Sequence, residues 1–145
     1  MASGDPVLND TMAMLGLKGS VQAAIELMPL IRRGLPSAAL ERMARHLDLS
    51  AVATIESLGL AKRTIARRLH EHKPLSAEES ERVVRLARVF AEAKHVLGEE
   101  AKARRWIQKP SRALGGEIPL HLLDTDIGAS AVFEELGRIE HGVFA

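Results

Sequence analysis

Imidazole can bind metals and carry protons, so His46, His70, His72, His95, His121 and His141 are the first residues to weigh for chemistry. Their spacing argues against both uses. His70 and His72 stand two apart, which places them on different sides of a helix, and the other four are isolated in sequence. There is no cysteine and no His-Glu-x-x-His arrangement, so a structural zinc site is not expected. No Gly-x-Ser-x-Gly turn offers a serine nucleophile. The loop Leu114-Gly115-Gly116 lacks the Gly-x-Gly-x-x-Gly spacing and the preceding strand of a phosphate cradle. Its glycines suit a sharp turn instead. The sequence therefore predicts neither an enzyme nor a bound metal or cofactor.

Charge points elsewhere. The net value of +1 conceals a basic stretch from Ala61 to Lys73, at +4, and an acidic one from Gly115 to Ala145, at −5. One end thus favours a polyanion and the other a cationic surface. If Lys62 to Leu69 is helical, Lys62, Arg63, Ala66, Arg67 and His70 fall towards one outer side, where they can meet phosphates and base edges. Lys62, Arg63, Thr64, Arg67 and Arg68 are the candidate nucleic-acid contacts. The same pattern also fits a solvated basic helix in a domain that only packs. Binding through phosphates would be steeply salt dependent, and one copy offers few contacts. A specific site would need a homodimer that sets two such helices about 34 Å apart.

The elements that position these residues are helical. Ser20 can cap a helix bearing Val21, Ile25 and Met28 that ends near Arg33-Gly34. Pro36 suits a first helical turn, with Leu40, Met43, Ala44 and Leu47 recurring behind it. A short helix from about Ser50 to Ser57, the turn Leu58-Gly59-Leu60 and a helix from Lys62 outline a helix-turn-helix. Ser76-Ala77-Glu78-Glu79 matches a capping box and predicts a long helix to about Leu97. Its stripe of Val83, Leu86, Ala87, Phe90, Ala93 and Leu97 is widened by Val84, Val89, Ala91 and Val96, so it should be buried on two sides. A dimer contact and packing against both halves of the chain explain that width equally well.

A turn and short helix should follow from Gly98 to Trp106, the only tryptophan, whose bulk suits a core plug. Pro119 to Leu123 reads as a single turn, and Thr125 or Asp126 can cap a last helix bearing Val132, Leu136 and Ile139. Gly142 lies where a left-handed cap would end it. No stretch alternates as a strand, which leaves an all-α chain. Hydrophobic residues make up 46% of it, enough for a core. Residues 1–18 carry few signals and are expected to be a flexible N-terminus. They show no signal-peptide pattern, and no apolar run reaches the ~20 residues that span a membrane, so a cytoplasmic protein is expected.

Across the last forty residues, Trp106, Pro110, Leu114-Gly115-Gly116, Pro119-Leu120, Leu123, Thr125, Gly128, Val132 and Leu136-Gly137-Arg138-Ile139-Glu140-His141-Gly142-Val143 occur in an order that closely resembles the C-terminal toxin-binding domain of Xre/MbcA/ParS-type antitoxins. Leu58-Gly59-Leu60 followed by Arg63-Thr64-Ile65-Ala66-Arg67-Arg68-Leu69 resembles their Xre-type helix-turn-helix. Thr54 and Ile55 stand where that pattern has Leu-Ala. Ala61 replaces the usual Ser or Thr cap, which forgoes ~1 kcal/mol. The resemblance implies an Xre-like helix-turn-helix and dimerisation domain at 19–97 and a small helical toxin-binding domain at 98–145. It also implies a twofold role. The chain would neutralise a RES-domain toxin that degrades NAD, blocking its active site with the C-terminal segment, and would bind operator DNA to repress its own operon. Arg138, Glu140, Gly142, Val143, Phe144 and Ala145 would then contact the toxin, the last residues and the terminal carboxylate entering a basic pocket made for a pyrophosphate. The alternative use of Val143 and Phe144 is to close the chain's own core. The alternative role for the whole is a DNA-binding regulator with no toxin partner.

Overall fold

The computed structural model describes residues 4–142, which form eight α-helices: α1 (Pro6–Met14), α2 (Met28–Arg33), α3 (Ala38–Leu47), α4 (Ala51–Ser57), α5 (Lys62–Glu71), α6 (Ala77–Leu97), α7 (Glu100–Ile107) and α8 (Asp126–Glu140). Single 3-10 turns cover Ala24–Leu27, Arg112–Leu114 and Pro119–Leu122. Among the described residues there is no strand, only an isolated bridge between Ser111 and Glu117. The all-α expectation holds.

The long helix α6 is the axis of the fold. The predicted capping box starts it: Ser76 Oγ accepts from the Glu79 backbone N–H at 3.1 Å, and Glu79 Oε1 accepts from that of Ser76 at 2.7 Å. Gly98, at φ 93°, ends it in the left-handed region that glycine enters without penalty. Val83, Leu86, Ala87, Val89, Phe90, Ala91 and Ala93 are fully buried along it. The chain itself covers this wide apolar face, because α1, α2 and α3 pack on α6 from one side of the sequence and α7 and α8 from the other. One core runs without interruption from Leu8 to Leu136. Truncating its central Phe90 to alanine would cost ~3–5 kcal/mol, the usual penalty for an unfilled aromatic cavity.

The N-terminal expectation needs correction. Residues 1–18, expected to be flexible, contain α1, capped by Asp5, whose Oδ1 accepts from the backbone N–H groups of Val7 at 2.8 Å and Leu8 at 3.1 Å. Pro6 occupies the first turn, where its missing N–H costs nothing. Leu8, Met12 and Leu15 recur at four and three residues and bury one side of the helix. That spacing was the signal for α1.

Ser20 caps nothing either. It is exposed, and the next helical turn begins later. Glu26 Oε2 there accepts from the backbone N–H groups of Gln22 and Ala23, both at 3.0 Å, and a 3-10 turn then leads directly into α2. Ile25, expected on the apolar side, is 66% exposed.

Candidate functional site

The helix-turn-helix is built from α4 and α5. Ser50 caps α4 by accepting from the Ala53 N–H at 3.0 Å, as its position predicts. Thr54 and Ile55, the two departures from the usual pattern, are both buried. The Thr54 hydroxyl is satisfied locally, donating to the Ser50 carbonyl at 3.0 Å, so a polar side chain serves in an apolar position. Leu58 is fully buried beneath the turn, and Gly59 takes φ 67°. The Leu60 N–H then closes the turn on the Ile55 carbonyl at 3.1 Å. Ala61 begins α5 with no side-chain cap, and Ile65 anchors it in the core.

Of the candidate contacts on α5, Lys62, Arg63 and Arg67 are exposed together with Ala66 and His70, while Thr64 is half-buried. Lys62 lies 3.7 Å from Glu56 in a solvent-exposed pair, which holds it weakly. Arg63 and Arg67 have no ion-pair partner among the described residues. Arg68 differs. Its Nε stands 2.7 Å from Glu79 Oε1, too oblique for a linear hydrogen bond, while Nη2 donates to Oε2 at 3.3 Å. The geometry thus assigns Arg68 to fastening α5 onto α6, and it presents Arg63, Arg67 and Lys62 outward.

Three arginines on α6 escaped the sequence reading. Arg82 Nη1 donates to the carbonyls of Leu58 at 3.1 Å and Gly59 at 2.9 Å, holding the turn between α4 and α5. Arg85 donates to the Leu123 carbonyl at 2.9 Å and pairs with Asp126 in the first turn of α8. Arg88 lies over the Phe133 ring of α8, 5.5 Å from its centre. Their spacing of three along one helix was the available signal. The same helix therefore grips the helix-turn-helix and the C-terminal elements. The two parts also meet directly, since a Cβ added at Gly59 would lie 3.3 Å from the Asp124 Cβ.

The C-terminal elements follow the predicted order. Gly115 and Gly116 both have positive φ, and the Gly116 N–H bonds to the Ser111 carbonyl at 2.8 Å to close a tight loop. Trp106 is half-buried against the core. Leu120 and Leu123 are buried, and Thr125 Oγ1 caps α8 by accepting from the Gly128 N–H at 3.0 Å. Gly128 is needed for contact: a Cβ there would meet the Leu122 carbonyl oxygen at 1.9 Å.

At the far end of α8, Leu136 is the last fully buried side chain among the described residues. Arg138 Nε pairs with Glu135 Oε1 at 2.9 Å, and exposed Glu140 lies 3.4 Å from His95. Gly142 turns left-handed at φ 70°, its N–H bonded to the Ile139 carbonyl. Arg138, Glu140 and Gly142 thus share one surface end. Val143, Phe144 and Ala145 lie outside the described residues. Two histidines that look isolated in sequence pair with glutamate, His95 as above and His46 with Glu100 at 3.3 Å. Beside His95, burial and the Glu140 carboxylate raise the Glu92 pKa above 4.5. No group of three or more potential metal ligands occurs among the described residues.

The chain is similar to two family models. Residues 26–88 match the antitoxin Xre-like helix-turn-helix domain, and residues 92–142 match the antitoxin Xre/MbcA/ParS C-terminal toxin-binding domain. The division between them falls inside α6. An Antitoxin Xre of Photorhabdus laumondii is 31% identical over 115 residues, covering 79% of this chain and 78% of the relative. A Prs ADP-ribosylating antitoxin of Sphingobium is 28% identical over 130 residues, covering 83% and 82%. An Antitoxin Xre of Yersinia enterocolitica is 37% identical over 92 residues, covering 63% and 62%.

Proposed function

The chain belongs to the Xre-type antitoxins, proteins of toxin–antitoxin systems that join a helix-turn-helix to a toxin-binding domain, and from that membership we propose a twofold action for it. It neutralises a RES-domain, NAD-degrading toxin in the cytoplasm by covering the active site with its C-terminal segment. As a homodimer it also binds operator DNA and represses its own operon. The observation that carries this reading is the surface end of α8, where Arg138, Glu140 and Gly142 stand beyond the last fully buried residue. Val143, Phe144 and Ala145 follow Gly142 in sequence and complete the segment proposed to meet the toxin.

Electrostatics support the pairing. A pocket that holds the pyrophosphate of NAD is basic, and the segment from Gly115 to Ala145 carries −5. The relative named for ADP-ribosylation bears on the same chemistry, because ADP-ribose is the part of NAD left when the bond to nicotinamide breaks. On the DNA side, Arg63 and Arg67 project from a helix whose position is fixed by Ile65, Arg68 and the Arg82-held turn.

The test is intracellular NAD in cells expressing the neighbouring reading frame alone, with this chain, and with this chain lacking Gly142–Ala145. NAD should collapse in the first case, recover in the second and collapse again in the third, with the truncated protein still melting cooperatively. Recovery with the truncated chain would remove the tail from the mechanism. If NAD never falls, the RES-toxin assignment fails for that pair and a DNA-binding regulator without a toxin becomes the better account.

A further inference from the structure

Outside the recognition helix, the described surface carries a second group of unpaired cations at the junction of α3 and α7. Arg42 and Arg45 project from α3, and Arg105 and Lys109 lie in or just after α7. All four are exposed, and none has an ion-pair or hydrogen-bond partner among the described residues. Glu100, which lines one depression with Arg42 and Arg45, makes its contacts with His46 and Arg104 instead, at 3.3 and 3.0 Å. Asp48 lies beside Arg105 and Lys109, and exposed Glu41 stands one turn before Arg45 on α3, so the patch keeps a net positive charge.

The placement of these cations is fixed by backbone contacts. Carbonyls in the last turn of a helix lack intrahelical donors. In α3 they are taken by α7: Arg104 Nε donates to the His46 carbonyl and Gln108 Nε2 to that of Leu47, both at 2.8 Å. This clamp sets α7 across the end of α3. Two shallow depressions, of about 290 and 310 Å³, lie there, the first lined by Arg42, Arg45, His46 and Glu100 and the second by Arg104, Arg105 and Lys109 with Asp48. Arg42 is also confined from below, since its guanidinium lies over Gly16 where even a Cβ would be 2.3 Å from Nε.

Only Leu49 and Ser50 separate Asp48, the C-cap of α3, from α4, the first helix of the helix-turn-helix. In such motifs the first helix crosses the phosphate backbone while the second enters the groove. We propose that Arg42, Arg45, Arg105 and Lys109 form a second phosphate-binding surface, which grips the DNA backbone flanking the recognition helix. This rests on the operator-binding reading and extends it. Separated point charges on an exposed surface suit a repeating phosphate chain, and the continuity with the start of α4 favours DNA over an acidic protein face. The consequence concerns both tasks, because α7 lies within the region that matches the toxin-binding domain. DNA and toxin would then be read by one continuous surface.

The test uses the full chain with the quadruple substitution R42Q/R45Q/R105Q/K109Q, beside R63Q/R67Q and the unmodified protein. The probes are the duplex immediately upstream of the reading frame and a scrambled duplex of equal length. Each is titrated across a salt series, and thermal melting confirms the fold. Each phosphate contact contributes ~0.9 to the slope of log affinity against log salt, so the quadruple variant should lose about 2 or more in slope and at least about tenfold in affinity on both duplexes. R63Q/R67Q should instead lose mainly the preference for the upstream duplex. Unchanged affinity and slope in the quadruple variant overturn the proposal. If that variant loses binding while R63Q/R67Q does not, the recognition-helix reading fails and the patch stands. If the unmodified protein binds neither duplex, both fall. Should the quadruple variant keep DNA binding but lose toxin capture, the patch is an acidic-protein contact instead. The pair R105Q/K109Q alone, which leaves α3 untouched, repeats the comparison if the quadruple variant melts early.

Discussion

Arg68, in the last turn of α5, and Glu79, in the first turn of α6, are joined by two contacts, Nε to Oε1 at 2.7 Å and Nη2 to Oε2 at 3.3 Å. Glu79 at the same time completes the capping box with Ser76. One carboxylate therefore starts the axial helix and fixes the recognition helix against it. Glu79→Ala should cost about 2 kcal/mol, near ~1 for the cap and ~1 for a pair that is only partly screened. Glu78→Ala, on an exposed residue in the same turn, should cost a few tenths. Urea denaturation of the two variants checks this, and equal midpoints would mean that Glu79 is not the joint.

Arg67 and Arg68 are sequence neighbours with opposite environments, one exposed and the other inside the α5–α6 contact. Arg67→Ala should leave the melting temperature unchanged and weaken operator binding by about tenfold, a loss of ~1.4 kcal/mol. Arg68→Ala should lower the melting temperature by several degrees, consistent with ~1 kcal/mol in a domain of this size. Its DNA affinity, measured well below that temperature, should stay within about threefold of the unmodified protein. If Arg68→Ala weakens DNA binding as much as Arg67→Ala while melting normally, the structural role is wrong.

The difference between those neighbours marks where sequence reading stops. Helical spacing made α3, α6 and α8 legible, and the capping residues Ser50, Ser76 and Thr125 set the starts of α4, α6 and α8 correctly, because those signals are local. Arg68 could not be separated from Arg67 in this way. Its partner lies eleven residues on, across a turn, and only the angle between α5 and α6 decides that they meet. The same holds for Arg82 and Arg85, whose carbonyl partners are 24 and 38 residues distant. Helix α1 was a different kind of omission. Its stripe of Leu8, Met12 and Leu15 spans only two turns, too short a period to stand out beside the usual disorder of a terminus. The order of the C-terminal elements was legible through the resemblance, whereas the placement of Arg105 and Lys109 beside α3 was not, since it depends on Gln108 reaching the Leu47 carbonyl 61 residues away.

Glu92 gives a pH prediction. Burial and the nearby Glu140 carboxylate raise its pKa above 4.5, against the smaller opposing pull of His95 and Arg88. A carboxyl raised in the native state binds its proton more tightly there than in the unfolded chain. Its contribution is fully present below pH 4.5 and is lost as pH rises through the raised value. Glu92→Gln imitates the protonated form and should melt higher than the unmodified protein at neutral pH. The advantage should shrink on acidification and vanish below pH 4.5. A gap that stays constant across the titration would show that the substitution acts through packing instead.

Gly128 and Gly137 both lie in α8, yet they should respond oppositely to alanine. A glycine inside a helix costs ~1 kcal/mol relative to alanine, so substitution stabilises wherever there is room. At Gly137 a Cβ would meet nothing within 4 Å, and Gly137→Ala should raise the melting temperature by a few degrees. At Gly128 the Cβ would stand 1.9 Å from the Leu122 carbonyl oxygen and 3.0 Å from Thr125 Oγ1, the atom that caps the helix. The α8 start must then move off the Pro119–Leu122 turn, so Gly128→Ala should destabilise by ~1–3 kcal/mol as an overpacked contact. That movement would also disturb Arg85, which holds Leu123 and Asp126 on either side of the cap. Toxin capture should therefore weaken in Gly128→Ala even at a temperature where the protein remains folded. It should be retained in Gly137→Ala, whose added methyl meets no neighbour within 4 Å, whereas its loss there would place Gly137 itself, beside Arg138, in the toxin contact.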